Sequence, residues 1–172
     1  MGAVDLLALA EWLPEHGITV ARVEQPWVLA GRRVAPAPAV LDRVFAHVVR
    51  DLRLRTPLIV GGRSAGARVA ARTGAELSAA GCLALAFPLH PPGRPEKSRL
   101  GELLVAGIPT HVIQGEHDPF GRPEEFPAGV DLTAIPGADH GFAVRKSGPI
   151  DQAEALDLLV GSALDWLRGT VA

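Results

Sequence analysis

The stretch Pro57-Leu58-Ile59-Val60-Gly61-Gly62-Arg63-Ser64-Ala65-Gly66 constrains the fold more than any other part of the chain. Leu58, Ile59 and Val60 form a short, branched apolar run that reads as a buried strand, and Ala67-Arg68-Val69-Ala70-Ala71-Arg72 behind the glycines is good helix-forming sequence. Strand, tight turn and helix therefore meet at Ser64. Gly62-x-Ser64-x-Gly66 fits the G-x-S-x-G pattern, in which a strained turn holds a serine hydroxyl above the ends of a parallel sheet. So sharp a reversal presses the strand end against the first helical turn, which predicts a need for glycine both two positions before and two positions after the serine. The helix also aims its N-terminal amides at this spot and favours developing negative charge there. With 19 glycines in the chain, an ordinary glycine-rich turn gives the same spacing, so the remaining residues must decide.

A chain of 172 residues, 48% of them hydrophobic, suffices for one globular domain over residues 1–172. Its 17 basic and 19 acidic residues leave a formal charge of −2, which carries no footprint for nucleic acid or an anionic membrane and points to a small-molecule partner. Cys82 is the only cysteine, so no intrachain disulfide forms; beside the run Leu83-Ala84-Leu85-Ala86-Phe87 it reads as a buried, inert thiol. No segment reaches the length of a membrane span, and the N-terminus lacks a basic region ahead of an apolar one. The expected location is the cytoplasm.

Taken in order, the chain alternates helix and strand. Asp5 reads as the N-cap of a first helix in which Leu6, Leu9, Ala10 and Leu13 recur at helical spacing until Gly17. Ile18 to Val23 is β-branched and reads as a strand. The proline-bearing stretch from Pro26 to Pro38, with Gly31, Arg32 and Arg33, reads as surface loop. Leu41, Val44, Phe45, Val48 and Leu52 trace one face of a second helix, and the helix behind Ser64 is expected to run to about Ala80 with Gly74 as a weak point. Cys82 to Phe87, Ile108 to Gln114 and Val130 to Ile135 read as further strands, the last as a half-exposed edge; Lys97 to Leu104 and Ile150 to Leu167 read as helices. The alternation predicts an α/β fold with about five mainly parallel strands and helices on both faces in three layers.

In open parallel sheets, sites form beyond the carboxyl ends of the strands. The loops there hold Gly115-Glu116-His117-Asp118-Pro119-Phe120 and Gly137-Ala138-Asp139-His140-Gly141-Phe142. Ser64, Asp118 and His140 thus follow three strands in the order of a Ser–Asp–His constellation. A serine hydroxyl is a weak nucleophile, a histidine takes its proton and returns it, and a carboxylate fixes the imidazole tautomer. Glu116 competes with Asp118 as the acid but leaves the strand earlier in the turn; Asp118 alternatively makes an Asx turn and His140 alternatively caps its loop. The Ala65 N–H, one residue past the nucleophile, is the expected oxyanion donor. His90, in a loop stiffened by four prolines, and Arg63, beside Ser64, are possible pocket residues. His16, His47 and His111 read as surface or core side chains. Glu116-His117-Asp118 has no second ligand pair at a convincing spacing, so no metal is expected.

The stretches GGRSAGARVA, FPLHPPGRPEKSR, QGEHDPFG and GADHGF resemble the small α/β-hydrolases close to dienelactone hydrolase, a group that includes testis-expressed and chromatin-complex hydrolase-like proteins. The resemblance runs from about Asp5 to the C-terminus and implies catalytic roles for Ser64, Asp118 and His140. The expected function is hydrolysis of a small carboxylic ester or related acyl compound with no cofactor; the alternative is a non-catalytic binding or scaffold module that keeps the fold. Such proteins carry an upstream strand and a His-Gly-x-Gly loop that supplies a second oxyanion donor, whereas this chain starts at about the first helix, which reads as an N-terminal truncation or a start placed too late. The substrate and the oligomeric state are not legible in the sequence.

Overall fold

The computed structural model describes residues 2–32 and 34–171. Met1 and Arg33, the latter read as part of the surface loop, lie outside the described residues. Among those described, four parallel strands form one sheet in sequence order: β1 (Ile59–Arg63), β2 (Gly81–Leu85), β3 (Thr110–Gly115) and β4 (Asp131–Ile135). The register sets Gly62 beside Ala84, Leu85 beside Ile113 and Gly115 beside Ile135. Parallel strands need crossovers, and the intervening segments include helices α4 (Ala65–Thr73) between β1 and β2 and α5 (Leu100–Leu104) between β2 and β3.

The strands alternate between two cores. Cys82, Ala84 and Val112 face one layer, with Ala67, Ala70 and Ala71 of α4 and Leu103 of α5. Leu83, Leu85, Ile113 and Ile135 face the other, against Leu9 of α1 (Val4–Trp12) and Leu159, Ala163 and Leu167 of α6 (Gln152–Val171). β2 is buried throughout, as a strand covered on both faces must be. Arg72 of α4 forks onto Asp42 of α3 (Pro38–Asp51) at 2.7 and 2.9 Å, and Arg68 forks onto Glu102 of α5 at 2.6 and 2.8 Å, so paired charges as well as apolar packing fix α4.

Several expectations are corrected. The Ile18–Val23 segment makes no ladder, so the sheet has four strands rather than about five. Ile18 and Val20 do pack on the α1–α6 core, which is what their β-branched pattern reports; a strand also needs ladder hydrogen bonds, and among the described residues β1 pairs with β2 alone. Ala3, not Asp5, is the N-cap of α1; Asp5 lies in its first turn, fully buried. A 3₁₀ turn, Leu13–His16, follows and ends at Gly17 in the left-handed region. The 26–38 stretch carries one short helical turn, α2 (Pro26–Leu29). α4 stops at Thr73 instead of running to Ala80: Gly74 keeps helical angles, but the residues after it form turns rather than a regular helix and reach a positive φ of 54° at Ser78, while Gly74 itself packs so closely that a Cβ there would lie 2.5 Å from the Ile108 Cδ1. The 97–104 helix is split into a 3₁₀ turn, Pro95–Lys97, and α5.

Candidate active site

β1, β3 and β4 each deliver one polar residue just past their carboxyl ends. Ser64 follows β1 directly and adopts φ 54° and ψ −114°, a conformation that costs a non-glycine residue of order 1–3 kcal/mol. The cost is sustained because both flanks are fixed: its N–H donates to the Leu85 carbonyl at 2.9 Å, and its carbonyl accepts from the Arg68 N–H at 3.3 Å. Gly62 is indispensable to this turn, since a Cβ there would lie 2.5–2.9 Å from the backbone of Gly66. Gly66 is not, which corrects the symmetric expectation: a Cβ on it would meet only the Gln25 Nε2, at 4.0 Å. One close approach needs one missing Cβ. Ser64 makes no side-chain cap to α4, so its hydroxyl is left for other partners, while the Ala65 N–H opens the helix, where amides have no intrahelical acceptor.

The loops after β3 and β4 are joined before they reach Ser64. The His117 N–H donates to the Ala138 carbonyl and the Glu116 N–H to the Ile135 carbonyl, at 2.8 and 3.0 Å, and the loops pass so close at Gly115 that a Cβ would lie 2.5 Å from the Asp139 carbonyl oxygen. Asp139 Oδ1 accepts from the Gly141 and Ala143 amides, shaping the turn that projects His140.

His140 Nε2 lies 2.9 Å from Ser64 Oγ, and its Nδ1 lies 2.7 Å from Asp118 Oδ2. Asp118 is fully buried and held on both oxygens, with Oδ1 accepting from the Phe120 N–H at 2.8 Å and Oδ2 from the Gln114 side-chain amide at 2.9 Å. An acceptor-only carboxylate at Nδ1 requires the ring to donate there, which leaves Nε2 bare to accept the serine proton. Phe120 also lies over the ring, centroids 4.3 Å apart. Glu116 is not the acid at His140; its Oε2 accepts from the Gly137 N–H at 2.6 Å and pins the turn after β4.

Arg63 runs beneath the site, and its Nη2 donates to the His140 carbonyl at 3.1 Å. His90 joins loops: its N–H donates to the Phe120 carbonyl, its Nδ1 lies 2.9 Å from the Pro91 carbonyl and its Nε2 lies 2.8 Å from Glu125 Oε2. With acceptors at both ring nitrogens the imidazolium is favoured, and the Pro91 carbonyl, followed by Glu125, pushes its pKa up. Three contributors escaped the sequence reading: Gln114, Phe120 and Asp5. Gln114 carried a signal, a polar residue directly after the apolar pair Val112-Ile113 at the end of its strand.

The sequence pattern described as an alpha/beta hydrolase domain matches residues 5–168. The chain belongs to the α/β hydrolases. Similar solved structures within this fold include a lidless α/β serine hydrolase of Xanthomonas campestris, 23% identical, aligned over 96% of this chain and 75% of that one with a TM-score of 0.66. A pyrethroid hydrolase of Sphingobium faniae is 14% identical over 95% and 92% of the two chains, TM-score 0.65. A thermophilic esterase of Thermogutta terrifontis is 17% identical over 99% and 86%, TM-score 0.61. No curated protein sequence matches the chain significantly. At these identities the α/β-hydrolase likeness is one of fold. This α/β hydrolase therefore owes any specific chemistry to its own loops.

Proposed function

We propose that this α/β hydrolase cleaves a small carboxylic ester or related acyl compound through an acyl-enzyme on Ser64. The supporting observation is the unbroken line Ser64 Oγ, His140 Nε2, His140 Nδ1, Asp118 Oδ2, with contacts of 2.9 and 2.7 Å. In this reading His140 Nε2 takes the hydroxyl proton as Ser64 Oγ attacks the acyl carbon. The Ala65 N–H then faces the carbonyl oxygen as it gains negative charge. Collapse of the tetrahedral intermediate expels the alcohol, which receives the proton from His140; water repeats the sequence and frees the acid. Asp118 keeps Nδ1 protonated and stabilises the imidazolium. Its buried, doubly hydrogen-bonded carboxylate supports that role better than Glu116, which is spent on Gly137.

The four motifs around these residues favour the dienelactone-hydrolase-like group among the α/β hydrolases. The fully buried, unpaired Cys82 is consistent with work in the cytoplasm. The reading requires neither metal nor cofactor, and a small neutral or weakly charged acyl compound is the expected partner.

Labelling with a fluorophosphonate, located by peptide mass spectrometry, tests the mechanism. Ser64 should be modified in the native chain and the label should vanish in Ser64→Ala, which should keep its fold. A folded native chain that takes no label would turn the reading to a non-catalytic binding module.

A further inference from the structure

Arg63 occupies the variable position before the nucleophile, yet its side chain is only 27% exposed and turns under the loop that carries His140. Its Nη2 donates to the His140 carbonyl at 3.1 Å, and its Nε lies 3.8 Å from Asp5 Oδ2. The loop passes so close that a Cβ on Gly141 would lie 3.4 Å from the guanidinium and 3.2 Å from Asp139 Oδ1. Asp5 is an unusual counterpart. It sits in the first turn of α1 with no exposure, and neither oxygen accepts a hydrogen bond of good geometry. Burial raises its carboxyl above the ordinary range, and Arg63 is the largest opposing influence, ahead of the Leu6 and Asp5 amides and His140. At 3.8 Å the two form an ion pair without a hydrogen bond, the Arg63 Nε likewise having no acceptor, and removing either partner strands the other's charge.

Three distant parts of the chain thus converge on one guanidinium: the first turn of α1, the residue bonded to Ser64, and the backbone of His140. Arg63 shares a peptide bond with the nucleophile and a hydrogen bond with the histidine residue, so its conformation sets the spacing between them. We propose that Asp5 and Arg63 form a positioning pair, in which Asp5 anchors the Arg63 guanidinium and Arg63 holds the His140 backbone at the distance that lets the ring reach Ser64. This rests on the serine-hydrolase reading for its effect on rate, but not for its effect on the ring. Neither residue touches the reacting atoms, so substrate binding is left alone and the chemical step carries the effect.

The test uses the full chain with Arg63→Met, Arg63→Lys, Asp5→Asn and the Asp5→Asn/Arg63→Met pair, each checked for fold by circular dichroism. Readouts are the fluorophosphonate labelling rate at Ser64, kcat and KM on p-nitrophenyl acetate, and the NMR resonance of the His140 Nδ1 proton. A misplacement of about an ångström costs on the order of 100-fold in rate, so Arg63→Met should slow labelling and kcat by about that factor with KM unchanged. Arg63→Lys, which keeps a donor and a charge, should recover most of the loss. Asp5→Asn, nearly isosteric, should slow the reaction while keeping the native fold, and the double variant should be no slower than Arg63→Met, as coupled residues require. Wild-type labelling and turnover in Arg63→Met, or losses that multiply in the double variant, overturn the pairing. Should Arg63→Met not fold, Asp5→Asn decides by the same split. If the native chain neither labels nor turns over ester while Arg63→Met still broadens or shifts the His140 resonance, the positioning pair stands and the esterase reading falls. An unmoved resonance overturns the pair.

Discussion

The two glycines of the Gly62-x-Ser64-x-Gly66 pattern should behave oppositely when each is changed to alanine. At Gly62 the new methyl would lie 2.5, 2.7 and 2.9 Å from the C, O and Cα of Gly66, roughly an ångström inside ordinary contact, and all three are backbone atoms of α4 that cannot rotate aside. Relief requires the strand end and helix start to separate. Overpacking of this kind costs about 3 kcal/mol or somewhat more. For a chain of this size, about 2–4 °C per kcal/mol, the melting temperature should fall by about 6–12 °C. Because the separation moves Ser64 itself, fluorophosphonate labelling should drop by about 100-fold or more. At Gly66 the methyl meets only the Gln25 Nε2 at 4.0 Å, an ordinary contact, and the residue is helical. Alanine there relieves the glycine's conformational cost in a helix, worth about 0.5–1 kcal/mol, so Gly66→Ala should melt about 1–4 °C higher and label within about threefold of the native rate. Differential scanning fluorimetry and labelling kinetics on the two variants suffice. Equal losses from both would refute the reasoning, since they would mean that the turn is crowded from Gly66 as well as from Gly62.

Other substitutions have outcomes that follow from single contacts. Asp118→Asn should lower turnover about 10⁴-fold through the wrong imidazole tautomer, and also cost about 1–3 kcal/mol, since the Gln114 amide already donates to Oδ2 and to the Gly121 carbonyl and cannot turn over freely; denaturant titration and ester kinetics separate the two losses. The His90–Glu125 clamp should make stability pH-dependent. With the folded pKa of His90 raised, its contribution is fully present below the unfolded value and is lost as pH rises through the folded one, so the melting temperature should fall from mildly acid to mildly alkaline pH, and Glu125→Gln should flatten that fall. Cys82, with no exposure and a thiol pushed up to about 12 by burial, should resist iodoacetamide in the native chain and react at once in denaturant, as intact-mass spectrometry would record.

Local chemistry made the centre of the fold legible. The apolar run ahead of Ser64, the glycine two positions before it and the helix-forming run behind it each act on neighbouring backbone, and the structure places strand, strained turn and helix where those residues put them. The loop residues Asp118 and His140 could be shortlisted because a parallel sheet brings the carboxyl ends of its strands to one side.

Periodicity, turn chemistry and the order of the elements are therefore written in the residues themselves: α/β alternation, the nucleophile turn, and the candidates Ser64, Asp118 and His140. Which groups meet depends on how the layers pack. Glu116 and Asp118 stand two residues apart in one loop, and the choice between them came from the β4 loop, whose Gly137 amide takes Glu116 and whose His140 faces Asp118. Ile18 to Val23 has strand composition yet makes no ladder, because pairing depends on a neighbour that composition does not name. Asp5 looked like a helix cap and is instead a buried charge facing Arg63, 58 positions further along the chain. Contacts between distant residues are set by how the layers pack, and burial then fixes which of the available charges remain paired.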